Sequence, residues 1–424
     1  MKKILLLFFI VCAVTGCKKK QVDLGAGFNT VNLQLHYYKQ ENQEGLKNVI
    51  DAFERANPDI KIELHCDPNG DDSLMSSRAD VGTLPDILQM QSYSRIKEYA
   101  SRGLIVDITR EAIMTKVLPS ALPAVSWNGK QYALPMDFAG IGIIYNKDIF
   151  SKLHIVPPET FEELKEVCKV LQDNGIDPFA ALLKENWSMG HFITMIHTAL
   201  MKERNIDPER FITDMNASKT SYGIIDTDRL FEVLDFYREN LSPNGADMGG
   251  AEQQQAFASG KAAMMVQGLW AYVDAMKLNP NLNAGFIPFP IYNDSKMNVF
   301  YADVDSAFSV SSQSSKEKYA AAMRFMDWLA STEGEQVWIQ EYKLISPFKG
   351  IDVSFFGGPY VDLMNSVEKK GASSWLFSQY PTEVFDNACK SGAQGYMLKT
   401  KTAEEVLKMI DMQWISSVDR KSTL

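Results

Sequence analysis

The stretch at residues 127–150, WNGKQYALPMDFAGIGIIYNKDIF, constrains the fold more than any other part of the chain. Its first extended segment is stopped by Pro135, because proline lacks the N–H that a strand ladder needs. After Asp137, an apolar and β-branched run at residues 140–145 predicts a second strand, and Asn146 caps the helix that follows. Two strands in line, separated by a proline and a lone acidic residue, indicate a chain that leaves one sheet and enters another.

The N-terminus predicts export and lipidation. Two lysines precede an apolar run at residues 4–14 that is too short to remain as a membrane-spanning helix, and the sequence VTGC follows at residues 14–17. This pattern resembles a bacterial lipobox, which implies a signal peptide at residues 1–16 and acyl chains (palmitate or similar) on Cys17. An ordinary secretory signal is the alternative. Several acyl chains on one residue anchor a protein stably. We therefore expect a protein on the extracytoplasmic face of the cell membrane, with residues 17–30 as a lipidated tether.

Composition narrows the classes of partner. The chain of 424 residues is long enough for two globular domains, and its formal net charge of −10 argues against nucleic acid. The cysteines beyond the N-terminal segment, Cys66, Cys168 and Cys389, are odd in number and widely spaced, so they predict neither a disulfide framework nor a zinc site. We expect no metal and no cofactor.

The first part of the chain reads as a β-α-β unit. Apolar and polar residues alternate at residues 31–38, as in a half-buried strand. Leu46, Val49 and Phe53 then lie on one helical face, and residues 59–64 form the next strand. Strands that alternate with helices predict mostly parallel sheets and an α/β fold class. An apolar stripe at residues 404–414 predicts a helix near the end of the chain.

Four ordered phrases carry a resemblance to a known family. They are FERANPDI at residues 53–60, LPDILQM at 84–90, YNKD at 145–148 and QQQAFASGKAAMMVQGLW at 253–270. The last phrase is not a phosphate-binding loop, because Gln255 occupies the first glycine position and Ala262 replaces Ser or Thr. Together the phrases resemble the family 1 extracellular solute-binding proteins of bacterial ABC importers.

The resemblance implies an α/β, periplasmic-binding-protein-like fold with two discontinuous lobes and three hinge crossings, at residues 134–140, 286–290 and 345–350. Lobe 1 would comprise residues 31–136 and 290–346. Lobe 2 would comprise residues 137–289 and 347–424. The implied function is to capture a carbohydrate, in particular an oligosaccharide, between the lobes and to deliver it to ABC permease subunits in the membrane, as a monomer.

Catalytic patterns do not support an enzyme. The sequence contains no H-E-x-x-H, no G-x-S-x-G and no Gly-rich dinucleotide loop after the first strand. We therefore predict no catalytic residues. A secreted glycoside hydrolase stays open, since that reaction needs only two carboxylates. A binding protein for a non-sugar solute, such as a polyamine or a phosphodiester, is the alternative within the same class.

Aromatic residues are the first candidates for a sugar site, because an indole offers an apolar platform to the C–H face of a pyranose. Trp270 matches the tryptophan of the family's G-x-W phrase, which the resemblance implies to be a ligand-stacking position. Trp187 lies in a polar segment before a helix, and Trp375 lies with Tyr380 where the family has a further aromatic. Packing in a hydrophobic core is the alternative for each.

Polar candidates lie at strand ends, where carboxylates and amides can bind sugar hydroxyls. Asp137 lies in the predicted hinge. Gln40 and Glu41 follow one predicted strand, and Gln91 and Ser92 follow another. Helix capping is the alternative role for these four residues. Asp303 and Asp305 alternate on an extended segment, so we expect both to face the same side, for a ligand-specific or a turn role. The polar candidates are Gln40, Glu41, Gln91, Ser92, Asp137, Asp303 and Asp305.

Overall fold

The structure, a computed structural model, describes residues 30–39, 42–66, 73–351 and 357–422. The predicted signal peptide, Cys17 and nearly all of the tether lie outside the described residues, as do Gln40 and Glu41. Within the described ranges, no helix combines the length and the apolar character needed to cross a bilayer.

The elements alternate between strands and helices along most of the chain. The strands are β1 (Val31–Tyr37), β2 (Ile60–Cys66), β3 (Ile87–Gln91), β4 (Ser126–Trp127), β5 (Lys130–Gln131), β6 (Leu134–Pro135), β7 (Phe138–Asn146), β8 (Asp177–Phe179), β9 (Ala262–Gly268), β10 (Ala284–Ile287), β11 (Phe300–Val304), β12 (Ser306–Val310) and β13 (Ala372–Ser373). The helices are α1 (Gln43–Ala56), α2 (Ser73–Asp80), α3 (Ser94–Ser101), α4 (Lys147–Lys152), α5 (Phe161–Asp173), α6 (Asn186–Glu203), α7 (Pro208–Asn216), α8 (Thr227–Glu239), α9 (Gly250–Ala258), α10 (Leu269–Leu278), α11 (Lys316–Leu329), α12 (Thr332–Val337), α13 (Gly358–Lys370), α14 (Lys390–Met397) and α15 (Ala403–Ser422).

The first sheet has the strand order β2-β1-β3-β12-β6. Strands β1, β2 and β3 are parallel, and β12 runs antiparallel to β3. The predicted β-α-β start is confirmed, because β1, α1 and β2 follow each other within a residue or two of the expected bounds. Leu46, Val49 and Phe53 are fully buried on the inner face of α1, where they pack in the core that belongs to this sheet.

The second sheet has the order β13-β11-β7-β9-β8, with β10 also paired to β7. The prediction of mostly parallel sheets is wrong here, because β7 runs antiparallel to β9, β10 and β11. Both faces of β7 are covered. Ile141 and Ile143 belong to a core that also contains residues of α5, α6, α8, α14 and α15, whereas Ile144 belongs to a core with residues of α9, α10 and α13. Position 142 requires glycine because the neighbouring backbone is close, and a Cβ there would lie 2.4 Å from the carbonyl oxygen of Ile287. The near-continuous apolar run of the β7 sequence follows from this double coverage.

The first predicted crossing between sheets is confirmed, because β6 belongs to the first sheet and β7 to the second. The predicted second crossing at residues 286–290 is wrong. Strands β10 and β11 both pair with β7, so the chain stays in the second sheet until Val304 and enters the first at Ser306. Phe289 shows the physical reason, since its ring packs against Phe179 and Phe192 in the second core and holds the proline-bounded segment there.

This correction moves the predicted lobe boundary at residue 290. Ile291 and Tyr292 are buried in the core of the second sheet, and so is Tyr301 of β11. Residues 290–304 therefore lie with the second sheet, and Asp303 belongs to that half of the molecule rather than to the first.

Candidate functional site

Extended segments of the chain meet where it passes between the two sheets. The amide of Asp305 donates to the carbonyl of Asp137 at 2.8 Å, and the amide of Phe138 donates to the carbonyl of Ile345 at 2.7 Å. Ile345 marks the third predicted crossing, and Leu344 and Phe348 beside it pack in the first core. The crossing segments are thus hydrogen-bonded to one another side by side.

Lys39 ties the end of β1 to these crossing segments. Its Nζ lies 2.7 Å from Asp137 Oδ2 and also donates to Asp305, while Ser306 Oγ donates to the same oxygen of Asp137 at 2.5 Å. The Lys39 and Asp137 side chains are 4% and 0% exposed. Burial opposes the charge of Lys39, but the carboxylates of Asp137 and Asp305 outweigh it and raise its pKa well above the ordinary value. In this arrangement Asp137 is the ion-pair partner of a buried lysine.

Tyr93 reaches from the first half of the molecule to the second. It follows β3 with φ 57° and ψ −95°, a conformation that a non-glycine residue rarely adopts. Its hydroxyl donates to Asp303 Oδ2 at 2.8 Å, and the same oxygen accepts the amide of Trp375 at 3.1 Å. Burial raises the pKa of the Asp303 carboxyl, an effect that the hydrogen bonds from Tyr93, Val304 and Trp375 counteract. Asp303 therefore joins three elements at one buried point.

Tryptophan rings form an aromatic wall on the second half beside this point. The Trp187 and Trp270 ring centroids are 6.5 Å apart, and Trp375 lies 6.3 Å from Trp270 with its ring nearly perpendicular. Trp187 and Trp270 are half-buried, whereas Trp375 is buried and donates its indole N–H to the carbonyl of Tyr301. A narrow cavity of about 10 Å³, roughly the room that one water molecule needs, lies between Trp187, Trp270, Gln267 and His191.

His191 completes the wall. It follows Trp187 by one turn of α6, and its ring lies 4.7 Å from Phe377 and 5.4 Å from Phe385, in a largely stacked arrangement. Its Nδ1 is buried and has no hydrogen-bond partner among the described residues. Desolvation, with a smaller contribution from the charge of Lys390, lowers the pKa of His191 to about 3. The imidazole is therefore neutral at neutral pH.

The structure sorts the sequence candidates into two groups. Trp187, Trp270, Trp375 and Asp303 come together, and Asp137 and Asp305 meet at Lys39. Asp303 and Asp305 have separate partners, Tyr93 and Trp375 for Asp303 and Lys39 for Asp305, and the expectation that both face the same side stays a prediction. Ser92 is buried and its hydroxyl donates to the carbonyl of Val304, while Gln91 ends β3 half-buried.

Sequence reasoning missed Lys39, Tyr93 and His191. Weak signals for them existed. Lys39 precedes the candidates Gln40 and Glu41, Tyr93 follows Gln91 and Ser92, and His191 lies at i+4 from Trp187, which places both on one face of a helix. Within the described ranges, no cluster of three or more His, Cys, Asp or Glu side chains is arranged to hold a metal ion.

Known proteins resemble this chain in sequence. Residues 48–354 match the model of a family described as bacterial extracellular solute-binding proteins. The multiple sugar-binding protein of Streptococcus mutans is 25% identical over 73% of this chain and 76% of its own length. The melibiose/raffinose/stachyose-binding protein MelE of Bacillus subtilis is 24% identical over 68% of this chain and 67% of its own.

Solved structures resemble the fold. The solute-binding protein RafE in complex with raffinose superimposes with a TM-score of 0.77 at 21% identity, covering 92% of this chain and 100% of the other. A sugar transporter protein of Bacillus licheniformis in complex with stachyose gives a TM-score of 0.75 at 17% identity, covering 91% of this chain and 100% of the other. With the family model matched over most of the described fold, the chain belongs to the bacterial extracellular solute-binding proteins.

Proposed function

We propose that this chain is the binding component of an ABC importer and that it captures an oligosaccharide between its two halves. The observation that carries the proposal is the pair of half-buried rings of Trp187 and Trp270, which pack with the buried Trp375, whose amide donates to Asp303, the acceptor of the Tyr93 hydroxyl from the other half. Apolar ring faces with a few convergent polar groups suit the alternating C–H and hydroxyl surface of a sugar. The function is binding and delivery, not catalysis.

The names of relatives support a carbohydrate ligand. The matched proteins of Streptococcus mutans and Bacillus subtilis are named for sugars, and structures with the same fold were solved with raffinose and with stachyose. These names describe the relatives, and they define the panel of ligands to test first. We expect the site candidates that the structure describes, together with Tyr93 and His191, to contact the sugar or to hold the contacting side chains in position.

The division into lobes follows the sheets. We assign residues 31–136, 306–344 and 346–351 to one lobe and residues 138–304 and 357–422 to the other, with Asp137, Asp305 and Ile345 in the hinge between them. Short extended segments allow rotation by small changes of φ and ψ at a few residues, and a ligand that contacts both lobes stabilises the closed arrangement by its differential affinity.

The N-terminal sequence supports the anchoring part of the proposal. The lipobox-like VTGC sequence makes Cys17 the attachment point of the acyl chains, and the residues after it tether the binding domain to the membrane that holds the permease. The binding domain acts as a monomer in this scheme, because each copy carries a complete site.

Thermal unfolding with a panel of ligands tests the function. Melibiose, raffinose, stachyose and maltotriose are the sugars, and spermidine and a glycerophosphodiester represent the two non-sugar alternatives. A ligand that binds only the folded state at one hundred times its Kd adds about 2.7 kcal/mol to the free energy of unfolding. We expect a sugar, and neither non-sugar compound, to raise the melting temperature.

A tryptophan variant shows whether the sugar binds at the proposed site. Trp270→Ala should weaken binding of that sugar by about tenfold or more, which corresponds to roughly 1.4 kcal/mol, while the ligand-free protein stays folded. A normal affinity with a lower melting temperature would show that Trp270 is a packing residue. Stabilisation by spermidine alone would replace the sugar proposal with the polyamine one.

A further inference from the structure

A second concave surface lies beside the hinge, on the opposite face of the second sheet from Trp187. We call it the α1–α10 groove. Its volume is about 520 Å³, within the range of small-molecule sites. One wall is α1 with Gln43 and Asn48, and the other is α10 with Val273 and Met276.

The groove is built from both halves of the molecule. Helix α1 packs in the core of the first sheet, and α10 packs in the core of the second. Asn48 donates to Glu341 at 2.9 Å, and Tyr360 at the other wall donates to the carbonyl of Lys343 at 2.6 Å. Both walls are therefore hydrogen-bonded to the segment at residues 341–343 that precedes the crossing near Ile345, and an occupant of the groove would contact both halves.

The wall on α10 continues from the aromatic wall. Trp270, Val273 and Lys277 lie at i, i+3 and i+7, so they share one face of the helix. Trp270 lines the aromatic cavity at the start of this face, and Val273 and Lys277 line the groove one and two turns further along. A chain-like ligand that stacks on Trp270 and follows this face of α10 would therefore reach the groove.

The chemistry of the groove suits an uncharged, hydroxylated ligand. Glu44 and Glu341 are balanced by Lys277 and Lys343, so neither a polyamine nor a phosphate meets a surface of opposite charge. The amides of Gln43 and Asn48 offer both donors and acceptors. Val273 and Met276 are half-buried and supply an apolar floor between these polar rims.

We propose that the α1–α10 groove binds the outer units of an oligosaccharide whose inner units lie against Trp187 and Trp270, and that it makes the protein select for chain length. The inference rests on the proposed function and adds a substrate class to it, an oligosaccharide long enough to reach past Trp270. Because the outer units touch both halves, each added unit also stabilises the closed arrangement.

Calorimetric titration of the full chain in detergent tests the inference with two series of sugars. One series is melibiose, raffinose and stachyose, and the other is maltose, maltotriose and maltotetraose. In one series we expect the tetrasaccharide to bind at least about tenfold more tightly than the disaccharide. Val273→Arg, which fills the groove, should remove that gain and leave the disaccharide Kd within about twofold of its wild-type value.

Two further variants keep the test decisive. Asn48→Trp blocks the groove from the exposed opposite wall and should act like Val273→Arg, so a folding defect in one variant does not decide the result. Leu278→Arg is the matched control, because Leu278 is 50% exposed on the same helix and does not line the groove. It should keep the full gain with length.

The outcomes separate this inference from the proposed function. Binding that does not depend on length, or an equal loss for disaccharide and tetrasaccharide in both blocking variants, overturns the role of the groove and leaves the sugar-binding function standing. If the wild-type chain binds no member of either series, the proposed function fails and the groove assignment fails with it.

Discussion

Lys39 Nζ lies 2.7 Å from Asp137 Oδ2, and both side chains are almost completely shielded from water. The ion pair links the end of the first strand, β1, to the first segment that crosses between the sheets. Asp305, on the second crossing segment, accepts from the same ammonium group. One lysine thus holds both crossing segments against the first sheet, so the hinge begins at a defined point on that sheet.

Removing this lysine should destabilise the protein strongly. Lys39→Met leaves the carboxylates of Asp137 and Asp305 close together without a cation, and breaking a buried pair in this way costs about 3 kcal/mol or more of unfolding free energy. Asp137→Asn should cost less, because Lys39 keeps Asp305. Denaturant unfolding monitored by circular dichroism measures both changes.

Lys318→Met is the matched control for Lys39→Met. Lys318 pairs with Asp86 at a similar distance, 2.9 Å, but its side chain is 40% exposed, and the buried Asp86 keeps the hydrogen bonds from Gln34 and Ser314, so loss of Lys318 should cost clearly less than loss of Lys39. Equal costs for the two lysine variants would contradict the structural role of the Lys39 network. A stable Asp137→Asn variant that loses sugar binding would instead support the ligand role predicted from the sequence.

Gly268 should prove essential for the position of the Trp270 ring. A Cβ at Gly268 would lie 2.1 Å from Cζ3 of that indole, although the backbone at φ −93° suits any residue. Gly268→Ala should therefore turn the ring away without unfolding the protein and weaken sugar binding by about tenfold. Near-ultraviolet circular dichroism reports the ring, and calorimetry reports the affinity.

Gly250→Ala is the control for the glycine variant. The nearest atom to a Cβ at Gly250 lies 3.8 Å away, so this alanine fits without displacing a neighbour. It should bind sugar normally. If Gly268→Ala binds as tightly as Gly250→Ala does, the ring position that we describe is not needed for the ligand.

Local signals in the sequence predicted the elements of the fold well. Asn146 caps α4 as expected, and the helices predicted from Leu46, Val49 and Phe53 and from the stripe at residues 404–414 are α1 and α15. Each of these depends on contacts between residues two to four apart, which the sequence displays directly.

The sequence did not show which strands and side chains meet when they lie far apart along the chain. The prolines at 288 and 290 read as a crossing, but whether β10 and β11 remain beside β7 depends on partners more than a hundred residues away. For the same reason the sequence did not show that Lys39 meets Asp137 or that Tyr93 meets Asp303. The sequence named three tryptophans that lie together in the structure, but it did not show that Trp375 is buried in the core of the second sheet.

Desolvation of the histidine in the aromatic wall should make stability depend on acid. The pKa of His191 falls from 6.5 to about 3 on folding, because burial disfavours the imidazolium. The unfolded chain therefore binds a proton that the folded chain does not, so this contribution to stability is complete above pH 6.5 and is lost as the pH falls toward 3. His191→Phe should reduce the slope of unfolding free energy against pH in that window by up to about 1.4 kcal/mol per pH unit.

Denaturant midpoints measured between pH 7 and pH 4 check this slope. Phenylalanine should fit the stack that Trp375, Phe377 and Phe385 form around the ring, so stability at pH 7 should not fall. His154→Gln, at an exposed position, tests whether loss of any histidine has the same effect. An unchanged slope in His191→Phe would contradict the neutral, desolvated state of His191.

The anchoring proposal predicts that Cys17→Ser abolishes lipidation. The acyl chains are attached through the cysteine sulfur, and a serine at this position offers the lipobox enzymes no thiol. Metabolic labelling with a radioactive fatty acid should mark the wild-type chain and not the variant. Label in the Cys17→Ser protein would show that Cys17 is not the lipidated residue.

The hydroxyl of Tyr93 should help to hold the two halves together. It donates at 2.8 Å to Asp303, which lies on the second sheet, whereas Tyr93 follows a strand of the first. Tyr93→Phe removes this bond between the halves and leaves Asp303 the amides of Val304 and Trp375. We therefore expect the ligand-free variant to populate an open arrangement more than the wild type does, and to have a larger radius of gyration by small-angle X-ray scattering.

Tyr319→Phe is a control of the same chemistry. The hydroxyl of Tyr319 donates at 2.9 Å to Glu111, and both residues belong to the first half, so its loss should leave the radius of gyration unchanged. A saturating sugar should shrink the wild type, Tyr93→Phe and Tyr319→Phe to the same radius, because a ligand that contacts both halves favours the closed arrangement in each. If Tyr93→Phe and the wild type scatter identically without ligand, the bond between Tyr93 and Asp303 does not control closure. If the radius of gyration of none of these proteins decreases with a bound sugar, the ligand does not bridge the halves, and closure about the hinge is not part of the binding mechanism.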